Sequence, residues 1–421
     1  MHCEILAASI TFREQPFAKP LQLSSGLITE ITEATATVRV QVNGVEAEGR
    51  GCIYLSDLWA WPDPALTHAQ RDAAMREYCT RVARLLPERN DGPCHPLAHG
   101  MGMIMRSYFG AGTSDPPPMA RLVCMSPLDA AVHDAAGRAL GRSAFRLYEP
   151  GDADNTDESF ASPAHVAAIR NFLLPQPAAA VDGWYVVSGT DPLTDDFAAF
   201  VQGRGFRCFK LKTLGKDPEA DARRTAQVYE AARALGVKHP RLSADSNEGN
   251  ADADSVHAYL DALEQMNPGA FAALEYLEQP TGRDIRVHAF DWHSVSARKP
   301  VLVDEGLLCH ADLRLIEEQG WSGICIKTCK GHSFNLHAGA WAHARGLKIA
   351  VQDLTNPGIA AIHSCLLAQH VPSINGVELN SPQFTPAANE AWATREPALF
   401  APTDGTHRVS NPLVEGLGSS L

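Results

Sequence analysis

Eight short apolar runs constrain the fold more than any other feature of this sequence. They lie at residues 184–188, 208–212, 242–245, 274–278, 301–304, 324–327, 349–352 and 376–378. Each has strand length, and helical periodicity fills most of the gaps, most clearly at 218–235, 252–266, 311–318, 334–345 and 359–370. Five of the runs end at residues 212, 245, 278, 304 and 327, spacings that fit one strand, one helix and two loops each. Eight strands alternating with helices predict a closed (β/α)8 barrel. An open doubly wound sheet is the runner-up, and no Gly-x-Gly-x-x-Gly follows the first strand to support it.

The run 208–212 is Cys-Phe-Lys-Leu-Lys. Side chains alternate along a strand, so Phe209 and Leu211 point one way while Lys210 and Lys212 point the other. Active sites of such barrels lie at the C-terminal ends of the strands. There strand two presents Lys212, strand three Asp245, strand four Glu278, strand five Asp304 and strand six Lys327. Any single carboxylate here reads equally as a helix cap or surface charge, but three in succession, each closing an apolar run, do not. Three hard oxygen ligands with room for water suit Mg2+. No histidine or cysteine joins them at ligand spacing, which argues against zinc.

Strands two and six stand opposite in a ring of eight, so Lys212 and Lys327 are placed on either side of the axis. That arrangement suits removal of a proton from one face of a carbon and its return to the other. A divalent cation on a substrate carboxylate stabilises the enediolate that forms when the α-proton leaves. A lysine acting as the base needs a lowered pKa, and Mg2+, the neighbouring Lys210 and partial burial all push that way. Lys330, three residues past Lys327, reads as a loop charge. A Schiff-base lyase using Lys212 or Lys327 as nucleophile is a second reading of the same barrel, although it leaves the carboxylates unexplained. A catalytically silent binding protein is a third.

The first 150 residues read differently. Residues 5–12 and 36–42 alternate as strands, and Gly44 marks a hairpin turn. Residues 15–20 form a proline-punctuated loop, and 54–61 gather Tyr54, Trp59 and Trp61 as an apolar lid or a small packed core. Helical patterns follow at 65–86 and 126–140, the latter expected to be capped by Ser126 with Pro127 in its first turn. This is an α+β domain. The expected division is a cap at 1–150, a connecting segment at 151–182, a barrel at 183–395 and a C-terminal segment at 396–421 returning to the cap.

Composition removes several alternatives. A formal net charge of −13 without a basic cluster disfavours nucleic acid or an acidic membrane as partner. No run approaches a membrane span, the N-terminus lacks the pattern of a signal peptide, and ten scattered cysteines lack a disulfide framework. A cytoplasmic protein with reduced thiols is the expectation.

The ordered motifs Lys210-Leu211-Lys212, Asp245-Ser246-Asn247, Leu277-Glu278-Gln279-Pro280, Val303-Asp304-Glu305 and Ile326-Lys327 resemble the enolase superfamily, in its mandelate racemase/muconate lactonizing enzyme branch. Enolase-superfamily sites are themselves a worked case of a lysine or histidine base acting with Mg2+. The resemblance covers nearly the whole chain, with residues 127–134 falling in the capping domain.

It implies a TIM-type barrel with an N-terminal cap, Mg2+ on Asp245, Glu278 and Asp304, and Lys212 and Lys327 as the acid/base pair. Lys210 would support the substrate carboxylate or the charge of Lys212, Asn247 and Glu305 would stand behind the metal ligands, and Glu378 and Asn380 would face the far end of the substrate. The implied partner is a small-molecule carboxylate, and the implied assembly a homo-oligomer.

Two departures narrow the expectation. Strand seven ends in Val351-Gln352-Asp353, without the histidine of the mandelate-racemase type. Strand eight carries Glu378-Leu379-Asn380, one carboxylate where dipeptide epimerases have two. A racemase or epimerase of a carboxylic acid, such as an amino-acid derivative, is the leading expectation. A cycloisomerase or dehydratase is the alternative.

Overall fold

In the computed structural model, residues 1–23, 26–88, 92–110, 112, 115–153 and 160–421 are described. The connecting segment 151–182 thus lies partly outside the described residues, at 154–159.

The chain begins with three antiparallel strands, β1 (Cys3–Leu23), β2 (Gly26–Val42) and β3 (Val45–Tyr54), in the order β1-β2-β3. Asn43 and Gly44 both take positive φ, 51° and 87°, the geometry of a tight two-residue hairpin. The alternating burial of β2 puts Ala34, Ala36, Val38, Val40 and Val42 into the core. Residues 15–20, expected as a loop, belong to β1. Pro16 pairs opposite Glu30, with a register shift between Pro16 and Leu21. β1 is an edge strand, where a proline's missing N–H breaks no ladder bond.

Helices α1 (Asp57–Ala60), α2 (His68–Leu85), α3 (Pro96–Phe109) and α4 (Pro118–Ala139) complete this part. α4 corrects a second expectation, because Ser126 does not cap a helix and Pro127 lies inside one. A proline there deprives the Val123 carbonyl of its donor. The Ser126 hydroxyl replaces it, donating to Val123 O at 2.9 Å. α4 lies tightly on β3. A Cβ at Gly49 would fall 2.2 Å from Ala135 N, and one at Gly51 would fall 2.0 Å from Pro127 O, so only glycine fits.

After helix α5 (Pro163–Phe172), eight parallel strands follow: β4 (Val181–Val187), β5 (Cys208–Lys212), β6 (Arg241–Asp245), β7 (Leu274–Glu278), β8 (Val301–Val303), β9 (Gly323–Lys327), β10 (Lys348–Gln352) and β11 (Val377–Glu378). They run in the order β10-β9-β8-β7-β6-β5-β4-β11, with a small antiparallel strand, β12 (Thr406–His407), added to β4. All eight sequence runs are strands.

The sheet curls into the TIM-like barrel of an α/β fold, but its seam differs from a continuous ladder. Between β10 and β11 the Asn375 side chain takes the place of strand pairing. It accepts from Val351 N at 2.9 Å and donates to Val351 O at 3.0 Å. Inside, Trp184, Cys208, Tyr276, Leu302, Cys325 and Ala350 fill one layer. Cys325, two residues before Lys327 on the same face of the strand, is core filler.

Helices lie where periodicity placed them, including Pro218–Ala234, Ala253–Met266, His332–Ala344 and Gly358–His370. Asp252 caps the second of these by accepting from Ser255 N at 2.8 Å. Near the C-terminus, Leu417 N donates to Asp134 of α4 at 2.7 Å. Among the described residues no helix is long and apolar enough to cross a membrane, and all ten cysteines are free thiols.

Candidate active site

The strand alternation that buries Phe209 and Leu211 against the helices turns Lys210 and Lys212 into the barrel mouth. Asp245, Glu278 and Asp304 arrive there from the adjacent strand ends, all essentially without exposed surface, and Lys327 arrives from β9. Lys212 Nζ donates to Asp245 Oδ2 at 2.6 Å. Lys210 Nζ reaches Glu278 at 2.8 Å, Asp245 at 3.0 Å and Glu378 at 2.6 Å. Lys327 Nζ pairs with Asp304 Oδ2 and lies 3.8 Å from Glu278. Asn380 donates to Glu378 Oε1 at 2.8 Å, and Asn247 bridges Asp245 and Glu305, each at 3.3 Å. All ten residues singled out in the sequence therefore lie in one connected network.

Charge explains the protonation preferences. Burial alone would raise the pKa of Asp245, but Lys212 and Lys210 hold it below the usual carboxylate range. Asp304 is lowered in the same way by Lys327 and Lys330 against its burial. Glu278 is pushed up, by burial and then by Asp245 beside it. Burial disfavours the Lys327 ammonium, yet Asp304 and Glu278 outweigh it and raise its pKa. This is opposite to the fall expected of a base, because the partners that decide it are carboxylates rather than Lys210.

Three buried carboxyls on neighbouring strands are the donor type that a hard divalent cation takes, and their charge is met by lysine ammoniums. In kind the donor set fits Mg2+. Among the described residues, however, no three His, Cys, Asp or Glu side chains close on one point as metal ligands.

Other residues fix this arrangement. Lys330 is fully buried rather than a loop charge. It donates to Asp304 O at 2.6 Å and Cys325 O at 3.2 Å, and lies 3.1 Å from Asp304 Oδ1. Gln279 Oε1 accepts from Asp304 N at 2.9 Å and Gly306 N at 3.1 Å. Asn335 brackets Lys327, accepting from its N–H at 3.1 Å and donating to its carbonyl at 2.6 Å. Gln352, where a histidine would stand in a mandelate-racemase type, donates to Glu278 Oε2. Four non-glycine residues just past strand ends, Asn247, Glu248, Gln279 and Thr355, hold positive φ between 33° and 71°. Such strain persists where surrounding bonds over-determine the backbone.

The cap closes the mouth. Trp59 donates from Nε1 to Glu305 Oε1 at 2.7 Å, and Arg283 Nη1 donates to Ala60 O at 3.4 Å. Asn356 Oδ1 accepts from Tyr54 N at 3.0 Å. α1 is tied back to α2 by Asp57, which accepts from Arg71 Nε at 2.8 Å. Phe17, Leu21, Ile28 and Ile31 of the β1–β2 hairpin face Lys210, Lys212 and Lys327 across a single cavity. Trp59, Gln352 and Lys330 carried no distinguishing sequence signal. Only the aromatic content of 54–61 pointed to the first.

Comparison with known proteins agrees with this fold. The sequence profile of the family described as enolase C-terminal domain-like matches residues 193–421. Solved structures match at full length. One is an enolase from Bradyrhizobium complexed with magnesium and mandelic acid, at 16% identity and a TM-score of 0.64, covering 99% of this chain and 96% of that one. Another is a muconate lactonizing enzyme from Pseudomonas fluorescens complexed with muconolactone, at 18% identity, a TM-score of 0.63 and coverage of 99% and 96%. A third is a dipeptide epimerase from Enterococcus faecalis complexed with Mg and a dipeptide, at 15% identity, a TM-score of 0.63 and coverage of 99% and 99%. No curated protein sequence matches.

Proposed function

From the fact that this chain belongs to the enolase superfamily, in its mandelate racemase/muconate lactonizing enzyme branch, we propose that it is a Mg2+-dependent enzyme that removes the proton α to a carboxylate. The observation that carries the reading is the pairing of Lys212 with Asp245 and of Lys327 with Asp304, two ammonium–carboxylate pairs on non-adjacent strands of one buried mouth.

Asp245, Glu278 and Asp304 would hold the cation, which supplies a Lewis acid for the charge developing on the substrate's carboxylate oxygens. Lys212 and Lys327 are the proton carriers, one for each face of the α-carbon. Lys210, buried among Glu278, Asp245 and Glu378, is a fixed positive charge that orients the substrate carboxylate. Lys330, Gln352, Gln279 and Asn247 hold the carboxyl groups in place. Glu305 is pushed up to about 7, by burial and then by Asp304, and it anchors Trp59.

With a carrier on each face, racemisation or epimerisation is the reaction favoured. Elimination or cycloisomerisation, which needs one carrier, is the second reading. The superfamily fold is shared by the enolase, muconate lactonizing enzyme and dipeptide epimerase matched above, so it does not itself choose between them.

The test is deuterium incorporation from D2O, with Mg2+, into a panel of amino acids, N-acyl amino acids, hydroxy acids, dipeptides and sugar acids. Exchange at the α-carbon of at least one class is expected. Absence of exchange across the panel by a protein that binds Mg2+ would reject it.

A further inference from the structure

The helix His332–Ala344, which follows β9, begins without a cap of its own. The helices after β5 and β6 are capped from the adjoining residue. Asp217 accepts from Glu219 N and Ala220 N, each at 3.1 Å, and Asp252 accepts from Ser255 N at 2.8 Å. The helix His332–Ala344 starts instead at Gly331, which has φ 93° and no side chain to offer. The first N–H groups of a helix have no partner within it and need an acceptor from outside.

Asp129 of α4, in the cap, supplies that acceptor. Its Oδ2 accepts from Ser333 N at 2.8 Å and its Oδ1 from Ser333 Oγ at 2.7 Å. A carboxylate at a helix N-terminus also meets the positive end of the helix dipole. Because the Ser333 hydroxyl donates to Asp129, it accepts from His133 Nε2 at 2.8 Å. Two glycines make room for the carboxyl group, which is 1% exposed. A Cβ at Gly100 would fall 2.1 Å from Asp129 Oδ1, and one at Gly331 would fall 3.0 Å from Oδ2.

The same helical turn holds a proposed proton carrier. β8 pairs with β9 only as far as Ile324, so the ladder on that side ends before Lys327. Asn335, two residues after Ser333, takes over there. It accepts from Lys327 N at 3.1 Å and donates to Lys327 O at 2.6 Å, while its own N–H donates to Gly331 O at 3.1 Å. The main chain of Lys327 is thus held by a side chain whose turn is pinned at Ser333 by the cap. Lys212 is held within the barrel, paired with Asp245 across β5 and β6.

Building on the α-proton reading above, we infer that Asp129 is a positioning residue for Lys327, acting from the cap through Ser333 and Asn335. Seating of the cap and placement of one of the two carriers are then one event, and the other carrier keeps its place without it.

Two measurements on the Mg2+-loaded full chain test this. The first is amide hydrogen exchange resolved to single residues. Asp129→Ala should accelerate exchange at Ser333, Asn335 and Lys327 about fivefold or more and leave Lys212 unchanged. Asp129→Asn, an equally good cap, should restore most of the protection. The second is α-proton exchange of separated enantiomers, in which the Lys327-dependent enantiomer is the one that Lys327→Ala no longer exchanges. Asp129→Ala should slow that enantiomer about tenfold and leave the other within about twofold. In an Asn335→Ala background the same substitution should add little, because the path is already cut.

Unchanged amide exchange at Lys327, equal slowing of both enantiomers, or full additivity with Asn335→Ala would overturn the inference. Should Asp129→Ala fail to fold, Ser333→Ala, which removes only the hydroxyl half of the contact, is read against the same outcomes. Amide exchange needs no substrate. A protein whose Lys327 loosens as predicted but which exchanges no α-proton would therefore count against the reaction and leave the link from Asp129 to Lys327 standing.

Discussion

The ammonium of Lys327, at the end of β9, lies 4.7 Å over the indole ring of Trp59, whose Nε1 donates to Glu305 next to Asp304. One cap residue thus covers one of the two proposed proton carriers and is latched to the residue after a proposed metal ligand. Trp59 ties the cap to the proposed chemistry.

Replacing Trp59 by Phe keeps a ring over Lys327 but removes the bond to Glu305. The loss of a hydrogen bond to a charged group should lower stability by about 1.5–3 kcal/mol in urea titration. Exchange of the enantiomer whose proton Lys327 handles should slow more than exchange of the other, since the Trp59 ring lies against the Lys327 ammonium. Equal slowing of both would show that the ring merely closes the cavity.

Lys330 should prove structural. Lys330→Met retains the bulk but removes the ammonium that donates to Asp304 O and Cys325 O, leaving Asp304 O with Leu307 N and Asp304 without one of its two lysines. Breaking a buried pair on one side costs about 3–5 kcal/mol. A fall in the urea midpoint of that order is expected, whereas a surface lysine would give almost none.

The cap and barrel also meet through buried histidines. His133 Nε2 lies 2.8 Å from Ser333 Oγ, which donates to Asp129 at 2.7 Å, and His332 Nδ1 lies 3.0 Å from His363 Nε2. Burial lowers His133 and His332 well below the usual histidine range and His363 to about 3, while it raises Asp129 to about 6. A histidine lowered on folding takes up its proton first in the unfolded chain. Its contribution is therefore intact above about pH 6.5 and lost as the pH falls toward its folded value. Asp129 acts in the opposite sense, favouring the fold as it protonates between about pH 6 and 4, and so do Glu305 and Asp353, raised to about 7. The more numerous buried histidines, His337, His370 and His407 included, oppose them. Stability should fall steeply below pH 6.5. His363→Gln should flatten the urea midpoint against pH, by up to about 1.4 kcal/mol per pH unit.

At the barrel seam, Asn375→Ala strands both the N–H and the carbonyl of Val351 in the core. Two buried unpaired groups cost about 2–6 kcal/mol. Hydrogen exchange at Val351 and its β10 neighbours should accelerate before the rest of the barrel. Uniform acceleration would mean that the seam is not a separate weak point.

Much of this was legible in the sequence, for physical reasons. Period-two alternation made Lys210 and Lys212 share a face, and the ends of five apolar runs carried the groups that now meet in one network. The misreadings have causes too. Pro16 signalled a loop because proline breaks a ladder, yet an edge strand has no ladder bond to lose on its open side. Pro127 signalled a helix start, yet Ser126 supplies the donor that proline removes. Lys330 read as a surface charge because its partners, Asp304 and Cys325, are brought to it only by barrel closure. Trp59 and Gln352 act on Glu305 and Glu278, contacts 246 and 74 residues away in sequence that no local pattern encodes.

The central claim is that Lys212 and Lys327 serve opposite faces of one α-carbon. It is tested most directly by α-proton exchange in D2O, with Mg2+, of each separated enantiomer of an exchanging substrate by Lys212→Ala and Lys327→Ala. The prediction is that neither variant racemises, that each still exchanges one enantiomer, and that the two variants retain opposite ones. Loss of exchange of both enantiomers in one variant, with none lost in the other, would contradict it and assign the chemistry to a single lysine.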